Sequence, residues 1–360
     1  MNMDMTVQVD ELTAETKWIG RLREPGYQHP STRYIEVSTI VGALCLRRTN
    51  GEQFRQAMVL GAGGGQDSIV VDVSKFAALV GNLEPGEAII KIDGNELSVQ
   101  SRRRTVRLKG EQFDFPIWPV FQSEQDEPDI VGQGEIRAVL ASASTDPTLP
   151  QLANVRFEGG NMVTTDRFRL SRVTYGNGTV DTLLPSEAAQ AFTQDGIVYV
   201  DTGIGSPART PMVRLTRGGR TLMVAKPDVA FPEWKQLIKD EQQCQVIVRA
   251  ADVIDAVRGK LVTLTVQGKK LTVLSKDTKE NGVEVESTVD IIDTLVPYKG
   301  KVEVPLEASY LLDAMRAIGG PVIYTMAGTN KAVTFTDLSG NNLHLIMPKK
   351  FKTEKKGAAK

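Results

Sequence analysis

The sequence predicts an α+β protein in which helices cover one face of antiparallel sheets, repeated as three similar domains. Three observations carry that prediction. Phe115-Pro116-Ile117-Trp118 is echoed by Phe231-Pro232-Glu233-Trp234, and the step of 116 positions from Pro116 to Pro232 leads on to Pro348. Leu184-Pro185-Ser186-Glu187-Ala188 matches Val304-Pro305-Leu306-Glu307-Ala308, with Val73-Ser74-Lys75-Phe76-Ala77 in the same relative place. Each third then reads alike: an early helix, strands, a second short helix and a closing pair of strands. Polar linkers at 123–129 and 239–243 set boundaries, giving domains 1–126, 127–243 and 244–351. A basic tail, 352–360, follows and is expected to be disordered.

In the first third, Leu12 to Leu22 reads as the opening helix, with Trp18 and Leu22 four apart. Ala43 to Arg48 is a strand running into the hairpin turn Asn50-Gly51. Phe76, Leu79, Val80 and Leu83 give the spaced face of a second helix, and Ala88 to Ile92 alternates with Leu97 to Val99 around Asp93-Gly94-Asn95. Gly61-Ala62-Gly63-Gly64-Gly65-Gln66 lacks the Gly-Lys-Ser/Thr ending of a phosphate loop and is read as a flexible hairpin loop. The second third opens with Ile136, Val139, Leu140 and Ala143 on one helical face. It closes with Val213 and Leu215 against Leu222 and Val224 across Gly218-Gly219. In the last third a short helix covers Ala250 to Val257. Leu264 and Val266 face Leu271 and Val273 across Gln267-Gly268. Leu311, Met315 and Ile318 mark its second helix, and Val333 and Phe335 pair with Leu343 and Leu345 around Ser339 to Asn342.

The totals set the function classes. At 360 residues the chain has room for two or three domains of roughly 100–200 residues. A composition 41% hydrophobic and 24% charged is that of a soluble globular protein, and a net charge of −1 excludes a globally basic binder of nucleic acid. Cys45 and Cys244 lack CxxC spacing, so free buried thiols in a reducing cytoplasm are favoured over a disulfide. The start of the chain has neither the basic opening nor the apolar run of a signal peptide. No stretch approaches the ~20 apolar residues of a membrane span. The reading is cytoplasmic, with no membrane partner.

No catalytic centre is legible. His29 lies in a Pro-flanked loop and His344 in a strand, neither with Cys, Asp or Glu at ligand spacing, so no metal is expected and no cofactor is called for. There is no Gly-x-Ser-x-Gly elbow and no carboxylate pair in a context for acid/base work. The basic residues say more. Lys17, Arg21, Arg23, Lys75, Arg137, Arg258, Lys260 and Arg316 lie on or beside the predicted helices. Such residues either form a face that attracts phosphates without reading bases or are solvated helix surfaces.

One stretch organises the rest. Thr164-Thr165-Asp166-Arg167-Phe168-Arg169-Leu170-Ser171 follows a strand and a Gly159-Gly160-Asn161 turn; Asp166 is placed to bond the backbone of the next turn. With Ala143-Ser144-Thr145-Asp146, Leu152 and Phe157-Glu158 upstream, it is similar to the Thr-Asp-x-x-Arg-Leu signature of the bacterial DNA polymerase III β sliding clamps. The Phe-Pro-acid-aromatic motif and Met347-Pro348-Lys349-Lys350 also resemble that family, over Met5 to Phe351.

The resemblance implies the DNA-clamp fold: an arc of three domains that closes, as a head-to-tail homodimer, into a ring around duplex DNA. It implies a processivity factor without bond chemistry, with partners that include the DNA polymerase III catalytic subunit, a clamp loader and other proteins carrying clamp-binding peptides. The matching peptide-pocket positions are Leu152, Thr165, Arg167, Phe168, Arg169, Leu170, Pro232, Gln236, Leu237, Leu345, Met347, Pro348, Lys349 and Lys350. Read without the resemblance, Leu170, Leu237 and Leu345 simply pack a domain seam. Arg103, Val106 and Leu108 match the first-domain side of the dimer contact.

The chain departs from the family pattern in four places. Arg167 stands where the family has a small residue, and the tail 352–360 is extra. The start of the third domain is short, and the Pro-Thr-Leu-Pro run is only echoed at Pro30-Ser31-Thr32. The shortened third domain leaves a second reading open, a clamp-derived regulatory paralogue that keeps the pocket without closing a ring.

Overall fold

The computed structural model describes residues 3–22, 30–40, 42–65, 67–194, 196–238, 242–276, 284–298, 300 and 302–349. Arg23, His29, Lys350 and the tail 352–360 lie outside the described residues. One order of elements recurs three times. The first third runs β1 (Met3–Gln8), α1 (Val9–Gly20), β2 (Tyr34–Ile40), β3 (Ala43–Thr49), β4 (Gln53–Gly64), β5 (Ser68–Asp72), α2 (Val73–Gly81), β6 (Glu87–Asp93), β7 (Glu96–Ser101) and β8 (Arg104–Lys109). After β9 (Val120–Ser123), the second runs β10 (Asp129–Gly132), α3 (Gln133–Val139), β11 (Asn154–Glu158), β12 (Asn161–Thr165), β13 (Arg169–Thr174), β14 (Thr182–Pro185), α4 (Ser186–Gln190), β15 (Ile197–Ser206), β16 (Thr210–Arg217) and β17 (Arg220–Ala225). The last runs β18 (Cys244–Arg249), α5 (Ala250–Ala256), β19 (Leu261–Gln267), β20 (Lys270–Lys276), β21 (Glu284–Asp290), β22 (Asp293–Val296), β23 (Val302–Glu307), α6 (Ala308–Ile318), β24 (Pro321–Met326), β25 (Val333–Thr336) and β26 (Asn342–Ile346).

The pairings repeat as well. The first strand of each third pairs with the strand after the second helix: β1 with β6, β10 with β15, β18 with β24. The strand after the first helix pairs with the one before the second: β2 with β5, β11 with β14, β19 with β23. The extra strand of the last third is explained by β4. The far end of that long strand pairs with β1, and β22 pairs with β18 in the same way, so β21 and β22 together are one such strand interrupted at Ile291-Ile292.

The thirds are also sewn to one another by strands. β4 pairs antiparallel with β17, and β13 with β26. Compactness therefore follows the sheets rather than the repeat. One unit comprises Met1–Val131 with Gln194–Pro227, the other Gly132–Thr193 with Asp228–Lys360.

Local chemistry explains the elements. Asp72 caps α2 by accepting from Ser74 N (2.9 Å) and Lys75 N (3.1 Å), while Phe76, Leu79 and Val80 enter the core. α6 turns Leu311, Ala314 and Met315 inward, and Gly319 at φ 66° ends it. The last carbonyls of α1 are met by arginines from the sheet: Arg48 Nη1 donates to Gly20 O (2.9 Å) and Arg55 Nη1 to Trp18 O (3.3 Å). Cys45 and Cys244 are free and buried, and burial pushes the Cys45 thiol up to about 11.

Several expectations need correction. The run at Gly61 is strand, not loop: Gly61 to Gly64 pair with β1, whose backbone lies close against Gly61 and Gly63. A Cβ at Gly61 would sit 2.7 Å from Thr6 O, and one at Gly63, where φ is +130°, 2.1 Å from Asp4 O. The opening helix starts three residues earlier than Leu12, at Val9, and stops at Gly20. α3 ends at Val139 and tightens into a 3-10 turn over Leu140–Ser142, so Leu140 and Ala143 do not continue its face. Leu83 lies beyond the end of α2, and Arg103 sits in the turn before β8.

Candidate functional site

The organising stretch forms the β12–β13 turn. Asp166 Oδ1 accepts from Phe168 N and Arg169 N, both at 3.0 Å, and Thr165 Oγ1 donates to Arg169 O at 2.7 Å. That hydrogen bonding fixes a tight turn in which Arg167 takes φ 80°, a conformation costly for a side chain with a Cβ. Arg167 and Phe168 project outward, Phe168 55% exposed, while Leu170 returns to the interior at 0%.

Leu170 joins Val163, Trp234, Leu343 and Leu345 in one apolar cluster. Trp234 is anchored there by its own polar end: Nε1 donates to Glu158 Oε2 (2.9 Å), and Lys235 Nζ reaches Glu158 Oε1 (2.7 Å). These two bonds hold the Glu158 carboxyl below its ordinary range. The Phe-Pro-x-Trp echo thus has a mechanical meaning, since each motif sets a tryptophan against strands. Trp118 meets Phe54 edge-on at 5.5 Å and carries Arg47 at 5.1 Å from its ring.

Above the cluster opens a cavity of about 230 Å³, lined by Gln236, Leu237, Leu345 and Met347 together with Thr325, Ala327, Asn330, Lys331, Ala332 and Thr334. Four of the expected pocket residues therefore meet in one cavity. The other six come from β24, β25 and the turn between them, which carry no motif; their signal would have been their pairing next to β26. Leu152 (2% exposed) and Thr165 (4%) are interior, and Pro232 and Lys349 are exposed but do not line the cavity. Phe168 O accepts from Met347 N at 2.8 Å, which ties the turn to the cavity's rim.

Arg169 is committed within the protein. Nε donates to Asp166 Oδ2 (2.8 Å), Nη1 to Asp313 Oδ2 on α6 (2.7 Å), and the guanidinium lies 4.3 Å from the Tyr310 ring centre. Burial opposes its charge, but the bonds from Asp313 and Asp166 outweigh that and raise its pKa. Behind the turn, Ser142 Oγ, Ser171 Oγ and His344 Nδ1 form a buried chain at 2.6 and 2.8 Å. His344 Nε2 has no partner among the described residues, and burial, aided by Arg169, lowers its pKa to about 4. All three side chains are buried.

The described candidates for phosphate attraction, Lys17, Arg21, Lys75, Arg137, Arg258, Lys260 and Arg316, are all exposed. Lys17 and Arg21 share a groove with Asp10 and Arg220 beside α1. Lys75 pairs with Glu111 at 3.0 Å, and Arg137 bonds Gln133 and Thr193 O. Val106 and Leu108 are half-buried on β8. No cluster of three metal-binding side chains exists among the described residues, and no helix there is long and apolar enough to cross a membrane.

This fold, a β-α-β meander unit used three times, is that of the bacterial DNA polymerase III β sliding clamps. The chain is similar to the clamp of Bartonella birtlesii solved with griselimycin (18% identity, TM-score 0.79, 98% of this chain and 100% of that one). It is similar to the DNA polymerase sliding clamp of Bacillus subtilis (16%, 0.80, 98% and 100%) and to the β subunit of Streptococcus pyogenes (15%, 0.79, 97% and 100%). No family model matches the sequence, and no curated protein matches it.

Proposed function

We propose that this chain is a DNA sliding clamp, three domains bounded near residues 126 and 243, two copies of which close a ring around duplex DNA. One observation carries the reading. β4 pairs with β17 and β13 with β26, always the third meander strand of one third with the last strand of the next. Under that rule β21 seeks a partner equivalent to β17 and β26, and the equivalent strand is β8. Both stand at the end of their sheets. Their charges are complementary: β8 carries Arg104, Arg107 and Lys109, with Arg102 and Arg103 in its turn, and β21 carries Glu284, Glu286 and Asp290. A second copy supplies each edge with the other and removes both exposed ladders.

In such a ring Lys17, Arg21, Arg137, Arg258, Lys260 and Arg316 offer weak, non-specific phosphate attraction, enough to centre a duplex and too little to stop sliding. The activity is to keep a DNA polymerase III catalytic subunit at its template, with a clamp loader to open the ring and no chemistry of its own. The cavity at Leu237, Leu345 and Met347 is the docking point for a partner's apolar peptide anchor. Sedimentation at micromolar concentration tests the ring: a dimer that weakens with salt is expected, and a monomer overturns it. A monomer that still binds griselimycin would favour the regulatory paralogue, whose motivation is α5, only seven residues against twelve in α1.

A further inference from the structure

Between α6 and the β12–β13 turn runs a row of alternating charges. Arg316 Nη1 lies 3.8 Å from Asp313 Oδ1; Asp313 Oδ2 takes Arg169 Nη1 at 2.7 Å; Arg169 Nε gives to Asp166 Oδ2 at 2.8 Å. The far carboxylate, Asp166, is the group whose other oxygen shapes the turn, and the turn's Phe168 O holds Met347 N at the cavity rim. The near end, Arg316, is 61% exposed, whereas Arg169 is 15% exposed. Asp313 is therefore shared between a solvent-facing cation and an interior one.

We propose that Arg169 is a positioning residue and that this row couples anion occupancy at Arg316 to the shape of the peptide cavity. A phosphate that engages Arg316 withdraws it from Asp313, whose carboxylate then serves Arg169 alone. Arg169 is held more firmly in its present place, and with it Asp166, the turn and the Met347 rim. A docked peptide that needs this rim formed then binds more tightly, and by reciprocity a docked peptide favours the anion. The coupling is a chain of direct contacts within one compact unit rather than an inference from distance. It rests on the clamp reading for what the two ligands are, DNA on one side and a partner peptide on the other.

The test is calorimetric titration of the full-length protein with griselimycin, with and without a short linear duplex at low salt. The native protein should bind roughly five-fold more tightly when the duplex is present. Asp313→Asn should bind griselimycin about five-fold more weakly than the native protein and lose its response to duplex, with a thermal melt confirming that it folds. Arg316→Ala, which leaves Asp313 to Arg169 alone, should bind about five-fold more tightly than the native protein without duplex, and lose the response to duplex. Arg169→Lys, which keeps a cation but cannot reach both carboxylates, should behave as Asp313→Asn does. Undiminished binding by Asp313→Asn, or a duplex response that survives in it, overturns the coupling. Failure of the native protein to bind griselimycin at all counts instead against the peptide cavity.

Discussion

The two places where successive thirds share a sheet are built on the same backbone plan and filled with opposite chemistry. At the β4–β17 join the side chains are cationic and aromatic: Arg55 and Arg220 lie 5.5 and 5.3 Å from the Trp18 ring, and Arg220 donates to both oxygens of Glu15. The groove beside it is lined by Lys17, Arg21, Arg220 and Asp10. At the β13–β26 join a neutral Ser-Ser-His chain runs inside and an apolar cluster underlies an open cavity. One strand pairing therefore carries a cationic groove in the first case and an apolar cavity in the second, the two surfaces to which the proposed function assigns phosphate and a partner peptide. The fold supplies the seam, and the residues on it decide what the seam is for.

The largest effect that would sharpen this contrast separates floor from rim at the second join. Leu170→Ala removes a fully buried side chain and should cost about 2–5 kcal/mol of stability, read by denaturant unfolding. Met347→Ala, at 46% exposure, should leave unfolding almost unchanged and, on the proposed docking role, weaken a clamp-binding peptide by about 1–3 kcal/mol. If Met347→Ala binds that peptide as the native protein does, the cavity is not the docking point.

Next in size is an acid-dependent weakness that the second join should have through His344. Its pKa in the folded protein is about 4, against 6.5 for an unperturbed imidazole, so the unfolded chain takes up a proton first as pH falls. The stability held in the neutral, buried ring is complete above pH 6.5 and is lost on acidification, by about 3 kcal/mol at pH 4. His344→Gln should flatten the melting temperature between pH 6.5 and 4 relative to the native protein. An equal slope in both would place the titrating group elsewhere.

The first join should fail by charge instead. Glu15→Gln leaves the Arg220 guanidinium, 14% exposed, with one acceptor in place of a carboxylate, at about 1–3 kcal/mol. The loss should shrink as salt rises, whereas the Leu170→Ala loss should not. Matching salt dependence in the two variants would erase the distinction between the joins.

How much of this was legible beforehand follows the same division. The repeat, the hairpins at Asn50-Gly51 and Gly94, and the cores of α2 and α6 could be read because periodicity and turn chemistry are local. Gly61 to Gly64 misled because glycine marks both a loose loop and a backbone pressed against a neighbour, and only the pairing with β1 tells them apart. Leu237, Leu345 and Met347, which the motifs single out, line the cavity together with Ala332 and Thr334, which no motif marks: Thr334 is an ordinary residue of β25 and Ala332 sits just before it, and only the pairing of β25 with β26 brings them there. Arg169 was assigned to the cavity on its motif, yet its guanidinium faces Asp166 and Asp313, a partner 144 residues away that no local pattern announces.

The smallest predicted effect concerns the turn itself. Arg167 holds φ 80° without being glycine, and its side chain is exposed, so nothing in the packing repays the strain except the hydrogen bonds of Thr165 and Asp166. Arg167→Gly removes the steric cost but also loosens the unfolded chain, and the two terms oppose each other. Because the left-handed conformation penalises a Cβ by about 1–2 kcal/mol and the added freedom costs somewhat less, a net gain of up to about 1 kcal/mol is expected in chemical unfolding. Arg167→Ala keeps the Cβ and should gain nothing. Equal stabilisation by both variants would show that charge, not backbone geometry, limits this turn, and would move the second join toward the electrostatic character of the first.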